Sequence, residues 1–443
     1  MIYFLFIIVF LFGFCNYLQE RKDLGILPFF FFITNGFYLL SNEFSPVKYY
    51  DVAIVYMFLI FLSRLLEKKT SFFKPKIGIF KFILLIIAYI TAIFIKTVIN
   101  NEELPTFALA IYRLYLPFLS FFLVQELSNK EIQRLINWII TIVSVMTILF
   151  VLQPILGVKL LNHADITNEL GIPRYRNIPY LTYFLLLYTT VKRSKSIILL
   201  LVCIVAVILT QHRGVMIAYA LCMIVYLLMN KKIGSIVQYS FMGLIVLSLA
   251  GDVVFNRLRG ESGGGSTIED IENVIKFDYS SVIINGITDE DSRGTLSFRV
   301  LLFMERFQFL LQNPNKALFG IGTRHEDSPY TKDFNFILGT TKNDSDHEIA
   351  QINSGDLVWM NPLLLFGIVG LVLFVSFSVY TFKYLYCYRN ISDITMSAFL
   401  FYLLLILISF KNNHLFGNEQ LFFIYVVAMY IQYNRKCIDK AYK

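Results

Sequence analysis

Long apolar runs separated by short polar stretches make up most of the chain. Taking about 17–25 apolar residues as the length that crosses a bilayer, the pattern predicts about thirteen helices. They cover roughly 2–18, 25–41, 49–66, 77–98, 105–126, 133–155, 178–191, 195–210, 213–230, 234–250, 357–381, 394–410 and 418–434. The expected fold class is an all-α polytopic membrane protein, with about 12–13 transmembrane helices and one large extracytoplasmic loop. Three parts follow: helices one to ten in 1–250, the large loop in 251–356, and the last three helices with a tail in 357–443. The first run begins at Met1, with no basic residues before it and no small-residue cleavage site, so it reads as a retained span. No internal repeat is visible, and the lopsided layout differs from the paired halves common in transporters.

Loops of this length are usually functional or disordered, and the large loop has both characters in turn. "ESGGGSTIEDIENVIKFD" opens Gly-rich and continues acidic. Residues 296–311 are apolar with Arg299 and Arg306 seven apart, which places both on one helical face. Pro314 is expected to close that helix, which reads as lying along the outer membrane surface.

Composition agrees with the pattern. Hydrophobic residues make up 57% and charged residues 16%, with 44 Phe and 27 Tyr. The net charge of +8 is accounted for by topology, because Lys and Arg concentrate in alternate short loops. One set holds Arg21, Lys22, Arg64, Lys68, Lys69, Lys74, Lys76, Lys130, Arg134, Lys192, Arg193, Lys195, Lys231, Lys232, Lys383 and Arg389. The opposite set holds only Lys48, Lys159, Arg174, Arg176 and Lys411. The N-terminus and the large loop are therefore expected outside, and the C-terminus in the cytoplasm. The bilayer is the expected partner of this charge, and nucleic acid is not. None of the five cysteines lies in the large loop, and no pair has metal-ligand spacing, so neither a disulfide framework nor a metal site is expected.

Basic groups away from the cytoplasmic side are the candidate chemistry. Arg113 lies within "ALAIYRLYLPF", and His212 and Arg213 form a turn between two apolar runs. Such groups normally face a partner or a wet cavity. Snorkelling anchorage is the alternative for Arg213, weakened because basic anchors are scarce on the translocated side, and an internal ion pair is the alternative for Arg113. Arginines on the outer side also suit a lipid-linked pyrophosphate, because guanidinium binds phosphate oxygens in a planar, bidentate way and stays charged. In "INSGDLVWMNPLLLFGIVG", Asp356 and Trp359 are three apart and expected on one helix face. There Asp356 could accept a proton from a sugar hydroxyl and Trp359 could stack on a sugar ring. The alternative is an N-cap Asp and an interfacial Trp. Arg324 and His325 follow a Gly-x-Gly in "GIGTRHEDSP", where they could line the same site; a plain loop role is the alternative. "DSD" at 344–346 looks like a metal-binding Asp-x-Asp, but lacks the ligand spacing of a Ca²⁺ loop.

Three segments in order resemble the O-antigen polymerase and ligase superfamily, Wzy-type polymerases in particular. They are "LTQHRGVMIAYAL", "FRVLLFMERFQFLLQNPNKALFGIGT" and "GDLVWMNPLLLFGIVG". The resemblance covers the second half of the chain, while the first six helices match by hydropathy alone. It implies a GT-C-like architecture in the bacterial inner membrane, with the large loop in the periplasm. It implies joining of oligosaccharides carried on undecaprenyl pyrophosphate into O-antigen, capsule or exopolysaccharide, without metal or other cofactor. The partners implied are the undecaprenyl-pyrophosphate-linked glycan, the bilayer and a chain-length regulator. Carried over, Arg213 would contact the pyrophosphate and Arg299 would be the loop arginine of the same site. Arg113, Arg306, His212, Arg324, His325 and Trp359 would help bind substrate. Ligase-like members carry a His before the final glycine motif. Counting back from Gly367, that position is Asp356 here, so Asp356 takes the role of base, or His347 does, or no such base operates. The change favours a polymerase over an O-antigen ligase. A lipid-linked glycan flippase is the alternative outside the enzymes.

Overall fold

The computed structural model describes residues 2–40, 48–162, 166–169, 172–175, 177–192, 197–210, 212–230, 295–330, 334, 336, 338, 340–342, 348–352, 357–410, 412 and 414–441. The tenth expected helix (234–250), the Gly-rich stretch, His347 and Asp356 lie outside them. The chain runs through α1 (Ile2–Leu18), α2 (Lys22–Ile33), α3 (Tyr49–Leu66), α4 (Gly78–Ile99), α5 (Pro105–Tyr112), α6 (Phe121–Gln125) and α7 (Asn129–Leu156). A hairpin of β1 (Ile166–Glu169) and β2 (Ile172–Tyr175) precedes α8 (Thr182–Val191), α9 (Ile197–Thr210) and α10 (Arg213–Met229). The loop region contributes α11 (Thr295–Leu311), α12 (Pro314–Phe319), β3 (Thr340–Lys342) and β4 (Glu348–Ala350). The chain closes with α13 (Met360–Cys387), α14 (Asp393–Ile408) and α15 (Asn418–Ala441). Both hairpins are antiparallel, with Ile166 opposite Tyr175 and Thr340 opposite Ala350.

Among the described residues, five helical segments are long and apolar enough to cross a membrane. They are Tyr49–Leu66, Gly78–Ile99, Pro105–Gln125, Asn129–Leu156 and Met360–Ile391. Five more apolar helices are shorter, at 10–17 residues. Local chemistry sets several boundaries that hydropathy misplaces. α7 starts at Asn129, ahead of its apolar run, because Ser128 and Glu131 form a capping box that brings polar residues into the first turn. The 105–126 run is not one regular helix: residues Arg113–Ser120, with Pro117 inside, tighten into a 3-10 segment between α5 and α6. Pro314 does not merely end α11; it opens α12, with Asn313 capping the new turn through its side-chain oxygen.

The core lies around α15. Every residue from Leu421 to Met429 is buried on all sides, the property of a helix surrounded by other helices. Outer helices keep apolar stripes exposed instead, Val55, Leu59, Leu62 and Leu66 on α3 and Val372, Val375 and Val379 on α13. These spacings of three and four trace one helix face each. Contiguous apolar faces of this kind suit lipid contact and not water.

Polar groups gather at the two ends of the bundle. At one end Arg64, buried on α3, reaches Glu126 (2.9 Å) and Glu67 (2.7 Å) and donates to the Tyr17 hydroxyl (3.2 Å). Lys22 also reaches Glu126 at 3.4 Å, and Arg134 pairs with Asp23 at 2.7 Å. The C-terminal ends of α1, α3 and α6 therefore meet the N-terminal ends of α2 and α7, so successive segments alternate in direction. This is also the end to which the richer set of basic loops belongs.

At the opposite end the large loop is joined to α13. At Gly367 the helix breaks, with φ 69° and ψ −168°, a region essentially restricted to glycine. Three successive carbonyls before the break take donors from outside the helix. Ile321 N–H donates to Leu364 (2.9 Å), Gly322 N–H to Leu365 (3.0 Å) and the Tyr89 hydroxyl to Phe366 (2.7 Å). The approach is backbone on backbone: a Cβ at Gly367 would overlap the Leu318 carbonyl, and one at Gly320 would overlap the Leu365 carbonyl. The Gly-x-Gly and the Gly-hydrophobic-hydrophobic-Gly segments are thus two halves of one joint.

Candidate functional site

The end of the bundle that carries this joint also carries His212, His414 and a buried carboxylate. The structure places them through five separate segments. His212 is the residue before α10, partly buried, and Arg213 is the first residue of that helix. His414 lies in the 3-10 turn His414–Phe416 between α14 and α15, close enough to feel the charge of His212. Its ring lies against Tyr180, just before α8, with centroids 3.9 Å apart. The Tyr180 backbone N–H donates to the Tyr38 hydroxyl at 3.4 Å. The Tyr38 hydroxyl in turn donates to Glu419, in the first turn of α15. Glu419 is 5% exposed, and Gln420 donates to its other oxygen at 3.3 Å. A small cavity opens against Tyr38 and Glu419, walled by Phe30, Phe37, Pro179 and Leu181.

Burial, and secondarily the charge of His212, holds the His414 imidazole down at about 3, far below the usual 6.5. His414 is therefore neutral in the fold at neutral pH, and an unfolded chain takes up its proton first. The stability tied to this neutral ring is complete above about pH 6.5 and is lost as pH falls from there towards about 3. Thermal unfolding of detergent-purified protein is expected to show this acid loss between about pH 6.5 and 4. H414F, which keeps an aromatic ring on Tyr180, is expected to flatten it. An acid limb of equal slope in the variant would assign the loss to other groups.

The arginines are distributed differently from the expectation of one cluster. Arg113 has a partner after all, Asp51 on α3, with Nη1 to Oδ2 at 3.0 Å, and its guanidinium lies 5.3 Å from the Tyr50 ring centre. The internal pair is made across 62 positions of sequence. Arg299 and Arg306 both lie on α11, as the seven-residue spacing predicts. Arg306 is fully buried, however, and does not face a site. It donates to the carbonyls of Leu338 (2.6 Å) and Gln351 (3.3 Å), pairs with Glu305, and lies 4.2 Å from the Phe336 ring centre. Burial lowers its guanidinium to about 10, still charged at neutral pH, and its enclosure and carbonyl partners make it an internal tie of the loop and not an open phosphate donor. Arg299 is partly buried.

Around the joint, Arg324 donates from Nε to the Ile321 carbonyl (3.1 Å), and His325 stacks on Phe107 with centroids 5.4 Å apart. Glu103, just before α5, accepts from the His325 N–H (3.3 Å) and the Ser328 hydroxyl (2.6 Å). Trp359 is the residue before α13 and not part of it, and Asp356, expected on one face with it, lies outside the described residues. Its indole N–H donates to Ser409 at 2.9 Å and its ring meets Phe416 edge-on at 5.7 Å. Trp359 therefore sits beside the turn that carries His414. Among the described residues no group of acidic, His and Cys side chains could hold a metal ion.

Sequence reading missed Glu419, Tyr38 and Tyr180. An acid in the first turn of a helix is the ordinary partner of the helix dipole, which hides Glu419. Its burial is visible only in three dimensions. Neither a model of a known family nor a curated protein matches the chain. Fold and apolar faces define its class as a helical protein of membrane type.

Proposed function

We propose that the chain is a metal-independent glycosyltransferase of the Wzy type, which polymerises oligosaccharide repeat units carried on undecaprenyl pyrophosphate. The observation that carries this reading is the joint of Gly320-x-Gly322 with Gly367. Two of the three segments on which the resemblance rests are mated through their glycines. The third, His212–Arg213, starts a helix at the same end of the bundle. In this reading that end faces the periplasm of a bacterial inner membrane, and the chain-length regulator acts on the same polymer.

The mechanism is electrostatic. A sugar hydroxyl of one lipid-linked unit attacks the anomeric carbon of another from the face opposite the diphosphate. The bond to the diphosphate breaks, its electron pair leaves with the phosphate oxygen, and the anomeric centre inverts. Arg213 and Arg299 hold the charge that develops on the leaving group, with no metal required. Asp356 or His347 stands as base in the motif-based assignment. Deleting the gene tests the reading. A polymerase deletion leaves single repeat units on the final acceptor, seen as loss of the long-chain ladder on a gel. Polymer stranded on the polyprenyl carrier would identify a ligase instead, and substrate trapped on the cytoplasmic leaflet a flippase.

A further inference from the structure

Among the described residues the large loop exposes big apolar side chains at three positions: Leu311 at the end of α11, and Leu318 and Phe319 at the end of α12. The rest of α11 does not face a bilayer as its sequence suggests, because Phe298 to Leu310 are buried or half-buried throughout. Leu318 and Phe319 are 47% and 39% exposed, and the backbone behind them is fixed. Ala317 is the residue that α12 buries, and the Leu318 carbonyl and the Gly320 nitrogen lie against Gly367 of α13. Exposed apolar residues scattered singly are ordinary on a protein surface. This pair instead adjoins the open face of another helix. α4 leaves Lys81, Leu85, Ala88, Ala92, Ile95 and Ile99 exposed, and their spacing of four and three keeps one face open along the whole helix. At 22 residues α4 is about 33 Å long, which matches the hydrocarbon thickness of a bilayer. Its last turn therefore marks the edge of the hydrocarbon. Phe319 meets that turn: the Lys96 ammonium lies 5.6 Å from its ring centre. In the same turn Thr97 Oγ1 accepts from the Thr323 N–H at 3.3 Å.

We infer that Leu318 and Phe319 form a membrane wedge, whose side chains enter the hydrocarbon of the leaflet at this end of the bundle. The occupant of this surface is lipid, because the pair adjoins the open face of α4 at the depth where acyl chains begin. Lys96 is exposed beside the Phe319 ring. Its amine reaches the lipid phosphates while its stem covers apolar surface. Lys316 of α12 is engaged within the loop instead, 5.0 Å from the Phe309 ring centre and 5.9 Å from that of Phe334. The wedge and the glycine joint together hold Thr323, and the loop residues next to it, level with the last turn of α4. This contact stands whether or not the chain is a glycosyltransferase.

The test places a nitroxide at Phe319→Cys or Leu318→Cys in the full chain, with Cys15, Cys387 and Cys437 replaced by serine and the buried Cys203 and Cys222 kept. The labelled protein is reconstituted in vesicles of phosphatidylcholine and phosphatidylglycerol. Electron-spin power saturation then compares collisions with oxygen, which concentrates in hydrocarbon, and with a water-soluble nickel chelate. Leu85→Cys on the open face of α4 and Asp327→Cys on the exposed loop are the two references. At both wedge positions the ratio of oxygen to nickel collisions is expected to be at least about threefold above that at position 327, and close to that at position 85. A ratio equal to that at position 327 would put the pair in water. A label shielded from both reagents would show protein over it, from another part of the loop or a second copy. Either result overturns the lipid contact. If one cysteine variant does not fold, as judged by gel filtration, the other decides by the same thresholds.

Discussion

Replacing Arg213 with alanine is expected to abolish long-chain polymer while the protein still inserts and folds. Arg213 is the first residue of α10, and the preceding His212 caps that helix with no side-chain hydrogen bond. The first backbone N–H groups of an uncapped helix are open to an anion, and the helix dipole favours one there. A guanidinium at this position adds bidentate, permanently charged donors to the same anion. In the proposed reaction these donors act most strongly when charge has developed on the departing diphosphate. Their loss is therefore expected to lower the rate on the order of 100- to 1,000-fold and not merely to weaken donor binding. Arg213→Lys, which keeps the charge but not the fork, should fall between alanine and the parent. Ladder length on a gel, normalised to protein in the membrane, is the measurement. A full ladder from a well-expressed Arg213→Ala strain would remove Arg213 from the site.

Gly367→Ala is expected to have the largest effect on stability. The backbone there adopts φ 69° and ψ −168°, and an added methyl would fall on the Leu318 carbonyl and the Gly320 nitrogen. Neither obstacle is a flexible side chain that could swing away. To accept alanine, α13 would have to straighten or α12 to withdraw, and either movement unmakes the hydrogen bonds from Ile321 and Gly322. Backbone strain and lost hydrogen bonds together amount to about 3 kcal/mol or more. The expected result is a large fall in melting temperature in detergent, or failure to accumulate in the membrane. Unchanged melting would show that the loop and α13 are not joined through these glycines.

Much of the fold was legible from hydropathy. The runs at 49–66 and 77–98 became α3 and α4 almost residue for residue, because an apolar stretch of that length has few alternatives in lipid. Boundaries moved where a cap or a proline overrides hydropathy, as at Ser128 and at Pro117. The run at 25–41 shows a different limit. Its apolar residues continue to Leu40, yet the helix stops at Ile33 and turns left-handed, to bring Tyr38 over Glu419.

The candidate site was legible only in part. Glycine motifs could be read because a glycine marks a backbone requirement at its own position. Arg306 shows why spacing did not suffice: a seven-residue interval puts it on the face of Arg299, but only the packed loop decides that this guanidinium is enclosed by Leu338 and Gln351. Arg113 and Asp51 likewise find each other only when α3 and the 3-10 segment pack.

The sequence by itself determined that the chain forms apolar helices, where several of them lie, and where basic charge falls along the chain. Those properties follow from each segment's own transfer energy and caps. Tertiary structure alone decided that α15 is the central helix, that Gly320 meets Gly367, and that Glu419 is buried under Tyr38. Each of these depends on which faces pack together, and an apolar helix looks the same in sequence whether its neighbour is lipid or protein.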